Sequence, residues 1–185
     1  MPNKYYVILY RASRNEMTFP IKAVNNEFNN AVQFAGGYPA IFGGTDNGGG
    51  PNATMIAEVT QESRGTLQAG APFTLFYQGV VGADTLSFYS TTAWQSTGQA
   101  WGDPTNRDEG EMESLVTVSI DEFSSQDSPD EVLDKLIALS GATGGSQNQL
   151  NEFLQSETAA AFTQFIYNNV PNEDEEQDDS GGEDG

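Results

Sequence analysis

The sequence predicts an α/β fold, on three observations. Apolar and aromatic runs of strand length alternate with segments of helical spacing. Two of the strand runs, Phe73–Val81 and Thr85–Trp94, are split by the turn signal Gly82-Ala83-Asp84 and read as a hairpin. A loop packed with glycine runs straight into a short helical segment, the usual way an α/β chain brings a helix end to a site.

Taken in order, Lys4–Ala12 (KYYVILYRA) is rich in Tyr, Val, Ile and Leu and predicts a strand buried on both faces. Ser13–Pro20 reads as a polar connection, Ile21–Val24 as a short strand, and Asn25–Phe34 as a turn or a short helix. Residues 36–50 hold seven glycines, with a brief strand expected at Tyr38–Phe42. Pro51-Asn52 then opens a helix, with Asn52 as N-cap and Gly65 as the stop. Helical spacing puts Ala53, Ile56, Val59 and Ser63 on one side, and Glu58, Gln61 and Glu62 on the other.

After the hairpin, Gln95–Asp108 is a polar loop and Leu115–Ile120 a strand. Ser128-Pro129-Asp130-Glu131 is a helix start, a cap followed by Pro and acids, and that helix should end before Gly141. A further helix is expected over Gln147–Asn168, with Leu150, Phe153, Leu154, Ala161, Phe162, Phe165 and Ile166 inward. The reading is one domain over residues 1–170 and an acidic, disordered tail over 171–185.

Composition narrows the chemistry. With no Cys and no His, thiolate nucleophiles, Ser-His-Asp catalysis and His- or Cys-ligated zinc are excluded. Acid–base work must come from carboxylates, Tyr or Lys, and a bound metal would sit among oxygens. The net charge is −20, and eight of the 27 acids fall in residues 173–184, leaving 19 acids against seven bases elsewhere. No Lys/Arg cluster exists to neutralise phosphates, so direct nucleic-acid binding is not expected. The acidity fits a basic protein partner or a salty environment. No run approaches a membrane span and the N-terminus lacks signal-peptide zones, so the expected place is the cytoplasm, away from membranes.

Phe42–Leu67 (FGGTDNGGGPNATMIAEVTQESRGTL) resembles the Nudix box: Gly, five residues, Glu, seven residues, Arg-Glu, an aliphatic, any residue, Glu-Glu, any residue, Gly. With Gly43 first, Glu58, Val59 and Glu62 match. Gly49 stands where the family has Glu, Ala57 where it has Arg, Gln61 at the first Glu of the pair, and Arg64 at the final Gly. Downstream, Glu109–Phe123 (EGEMESLVTVSIDEF) is similar to the acidic loop and strand found late in that family.

The resemblance implies a Nudix-type α/β/α sandwich with a curved mixed sheet. It implies that Glu58, Gln61 and Glu62 hold magnesium or manganese, and that Gly43 and Gly44 bind the ligand. Glu58 and Glu62 would carry catalysis with an acid from the late loop, Glu111 foremost, and Glu109 or Glu113 as alternatives. No haem, zinc or nicotinamide cofactor is expected.

In the family the Arg pairs with the early Glu and holds the loop to the helix; both are missing here, at Ala57 and Gly49. Gln61 supplies an oxygen without charge, so metal affinity should be weak. The leading expectation is therefore a Nudix-fold protein with an eroded metal site, binding a nucleotide-diphosphate-type ligand or a protein with weak or no hydrolysis. The alternatives are an active magnesium- or manganese-dependent hydrolase of nucleoside diphosphates linked to another group, and an acidic inhibitor of a basic partner.

Overall fold

The first strand is the spine of the molecule. In the computed structural model, which describes residues 2–142 and 144–171, β1 (Asn3–Arg11) sends Val7 and Leu9 to one face of a sheet and Ile8 to the other, all fully buried. A strand apolar on both faces must be covered on both, and this one is.

β1 pairs in parallel with β6 (Asp84–Thr91) and antiparallel with β2 (Glu16–Lys22) and β3 (Phe42–Thr45). β5 (Thr74–Val81) pairs antiparallel with β6 and forms the predicted hairpin, Val81 facing Asp84. β8 (Met112–Ser119) pairs antiparallel with β2. The path is β5-β6-β1-β2-β8 with β3 beside β1, a mixed sheet. β4 (Leu67–Ala69) and β7 (Trp94–Ser96) make a separate two-stranded ladder.

On one face Val7, Leu9 and Phe42 pack with Met55 and Val59 of α1 (Gly50–Glu62) and with Leu67 and Ala69. On the other, Ile8, Phe19, Ile21 and Phe88 pack against α2 (Pro129–Ser140), α3 (Gln147–Leu154) and α4 (Glu157–Asn169). Ser128 caps α2 through the Glu131 N–H, and Gly141 ends it in the left-handed conformation, as the sequence predicts. The architecture is thus the expected α/β/α sandwich with a mixed sheet.

Four elements differ from the reading. The brief strand expected at Tyr38–Phe42 begins only at Phe42, as β3. Ser13–Pro20 is not a connection: Glu16–Pro20 belongs to β2, with Met17 and Phe19 fully buried. Pro20 is tolerated because β1 pairs only with Glu16, Met17 and Thr18, and at Pro20 the strand's ladder partner is β8 alone. The expected helix over Gln147–Asn168 is two helices, because the Ser156 side chain accepts the Ala159 N–H and starts α4 afresh; Leu154, expected inside, is 37% exposed. α1 begins a turn early, with Gly49 rather than Asn52 at the N-cap. It is also rotated: Thr54, Met55, Val59 and Glu62 face inward while Ala53 and Ile56 are exposed. The acidic tail from Asn172 lies outside the described residues. Among the described residues, no helix is long and apolar enough to cross a membrane.

Candidate functional site

β3 delivers Gly43 and Gly44 against β1, opposite Tyr6 and Tyr5. The chain then turns through Asp46–Gly49 into α1. The turn closes on its own side chains: Asp46 Oδ1 accepts the N–H groups of Gly48 (2.9 Å) and Gly50 (3.2 Å), and Asn47 Oδ1 accepts that of Gly49 (2.9 Å). Thr54 in the first turns of α1 donates to Asn47 Oδ1 at 3.1 Å and accepts the Asn47 N–H at 3.1 Å. These bonds stand where the resemblance would have placed an Arg–Glu brace.

Glu62 is 1% exposed, and its Oε1 accepts the Gly43 N–H at 2.7 Å. Glu58, one turn earlier, lies against Gly44, where an added Cβ would sit 2.9 Å from Oε1. Glu111 arrives just ahead of β8, its backbone carbonyl accepting the Ala23 N–H at 2.9 Å, so it lies beside Lys22 at the end of β2. Burial drives the Glu58 carboxyl up to about 7, with the charges of Glu111 and Asp108 adding to it. Burial, then Glu58, raises Glu62 well above the ordinary carboxylate range, against the Gly43 N–H and Lys22. Glu111 is raised by burial, with Lys22 opposing and Asp108 adding. Burial lowers the Lys22 ammonium, against the pull of Glu111, Glu62 and Glu152. Burial raises the Tyr6 phenol, and Glu62, Glu58 and Glu111 add to it. These acids therefore share one field.

A hollow of about 570 Å³ opens between β3, the ends of β2 and β8, and the α3–α4 corner. Gly43, Gly44, Glu62 and Glu111 line it, as expected for the site; Glu58 stands beside Gly44 outside the lining, and Gln61 is exposed to solvent away from it. Lys22 and Tyr6, which the sequence reading did not single out, line it as well. The signal for Lys22 was its rarity: it is one of three lysines and interrupts an apolar run.

Arg64, in the place of the motif's last Gly, holds the left-handed φ of 53° that Gly would adopt more easily. It is 6% exposed and donates to the carbonyls of Gly102 (2.7 Å), Glu109 (3.0 Å) and Met112 (2.9 Å) and to Glu27 Oε2 (2.8 Å). The Trp101 ring lies 4.5 Å beneath its guanidinium. The end of α1 is thereby fastened to the stretch that presents Glu111.

Among the described residues, no group of three or more Asp, Glu, His or Cys side chains is arranged to hold a metal ion. Glu62 commits an oxygen to Gly43, and Gln61 points away. The donor set in this arrangement does not fit a magnesium or manganese centre.

No family model matches the chain, and no curated protein does. Solved structures do match. A MutT structure, from work on the MutT proteins of the fish pathogen Aliivibrio salmonicida and of Vibrio cholerae, is 17% identical with a TM-score of 0.44, covering 74% of this chain and 97% of its own. The MutT NUDIX hydrolase from Burkholderia pseudomallei is 13% identical with a TM-score of 0.45, covering 75% and 96%. A MutT protein from Bacillus halodurans is 12% identical with a TM-score of 0.46, covering 92% and 85%.

Proposed function

We propose that this is a Nudix-fold protein whose hollow binds a small molecule of the nucleoside-diphosphate class and hydrolyses it weakly or not at all. One observation carries the reading. The acid at the motif's last metal-binding position, Glu62, is buried and bonded to Gly43, while the position before it, Gln61, faces solvent. Carboxylates must lose their protons to hold a hard cation, and burial here favours the protonated acid. The hollow itself has the size of a ligand site. It offers cations from Lys4 and Lys22 and the Tyr6 ring at its wall, which suit a flat base joined to an anionic group.

Two measurements test this together. Calorimetric titration with ADP-ribose in EDTA should give a binding isotherm, and assays of AMP formed from ADP-ribose with magnesium or manganese should show little or no turnover. Magnesium-dependent turnover of ADP-ribose that disappears in Glu62→Gln would overturn the reading in favour of an active hydrolase.

A further inference from the structure

Lys22 differs from the other two lysines. Lys4 pairs with Asp84 at 3.3 Å and Lys135 with Asp127 at 2.7 Å. Among the described residues, the Lys22 ammonium has no carboxylate within 4 Å and makes no hydrogen bond, although Glu62 and Glu111 border the same hollow. The Phe34 ring lies 5.9 Å from its Nζ. The half-buried ammonium faces the cavity, which leaves its hydrogens open to an anion there. The Glu111 carboxylate on the neighbouring strand also has no ion pair among the described residues.

We propose that the Lys22 ammonium receives the phosphate of the ligand, so that a fixed side-chain charge takes the place of a divalent cation and phosphate recognition in this hollow needs no metal. The proposal rests on the binding reading above. Lysine is a point-charge donor that suits a phosphate oxygen from many directions. Placed on a strand whose main chain is tied by Ala23 N–H to Glu111 O and by Gly37 N–H to Lys22 O, it is held at the wall of the hollow.

The test is calorimetry on the full chain in EDTA with ADP and adenosine as probes, comparing the wild type with Lys22→Met and Lys22→Arg. The wild type should bind ADP about tenfold or more tighter than adenosine, the effect of one charge-assisted hydrogen bond. Lys22→Met should bind both alike, and Lys22→Arg should keep most of the preference. A Met side chain also changes the packing at position 22, so reductive ¹³C-methylation gives a second readout on unmutated protein. Of the three lysine signals, the one absent from Lys22→Arg should move with ADP and stay still with adenosine. An ADP preference retained in Lys22→Met, or a still Lys22 signal, overturns the proposal and leaves the binding reading intact. An ADP preference that appears only with magnesium overturns it in favour of a metal-dependent site. Failure of the wild type to bind either probe overturns both.

Discussion

Replacing Glu58 by Gln should stabilise the protein above neutral pH and leave it nearly unchanged in mild acid. The Glu58 carboxyl moves from 4.5 to about 7 on folding, chiefly through burial. Between those values the folded chain holds a proton that the unfolded chain has released, so stability falls as pH rises through the window. Above pH 7 the whole penalty of an ionised Glu58 is present. At about 1.4 kcal/mol for each pH unit, the upper figure is about 3 kcal/mol. The side chain is partly open to water, and screening reduces this to about 1–2 kcal/mol.

Gln keeps the shape and cannot ionise. Urea unfolding at pH 5 and pH 8 in one salt, read by Trp94 and Trp101 fluorescence, gives the comparison directly. Glu58→Gln should exceed the wild type by about 1–2 kcal/mol at pH 8 and match it closely at pH 5. Equal or lower stability of the variant at pH 8 would refute the argument that Glu58 is held charged against its surroundings. Millimolar magnesium added at pH 8 is a control on the site: a stabilisation seen in the wild type and missing from Glu58→Gln would mean that a cation enters among these acids, against the donor geometry.

Other substitutions separate architecture from ligand binding. Arg64→Met should lower stability by about 1–3 kcal/mol in urea, because the carbonyls of Gly102, Glu109 and Met112 lose their donor, and limited proteolysis should then cut within residues 98–110. Gly43→Ala should cost about 2 kcal/mol or more, since its Cβ would meet the Tyr5 carbonyl oxygen and the Tyr6 ring; Gly44→Ala should cost less, because it meets only the movable end of Glu58. Ser156→Ala should cost about 1 kcal/mol by urea unfolding, through loss of the cap that starts α4.

Elements with strong local signals were legible from the chain alone. β1 announces itself by an unbroken apolar run, the β5–β6 hairpin by its turn, and α2 by Ser128 and Pro129. What escaped depends on contacts distant in sequence. β2 looks polar and contains Pro20, and only the early parting of β1 makes that proline harmless. The rotation of α1 was hidden because one of its inward positions is an acid: no periodicity rule puts Glu62 in a core, and its place follows from the Gly43 N–H waiting there. Gln61 was grouped with the acids by helical spacing and left them when the helix turned. Lys22 and Glu111 come to line one hollow only because β2 and β8 pair, a register with no trace in either segment.

The rearranged bracing bears on what the acidic residues are for. The resemblance to the Nudix box would place an Arg–Glu pair between loop and helix, where this chain has Ala57 and Gly49. The loop stays closed because Asp46, Asn47 and Thr54 satisfy its backbone N–H groups, and Glu62 pins Gly43 from the far end of α1. Arg64, just beyond that same end, fastens the helix to the Glu111 stretch. An acceptor oxygen at position 62 is then needed to hold the loop whether or not any ion is bound, since removing it would leave the Gly43 N–H without a partner. Glu62→Gln, which keeps an oxygen for Gly43 and removes the charge, is the variant that separates that holding role from chemistry.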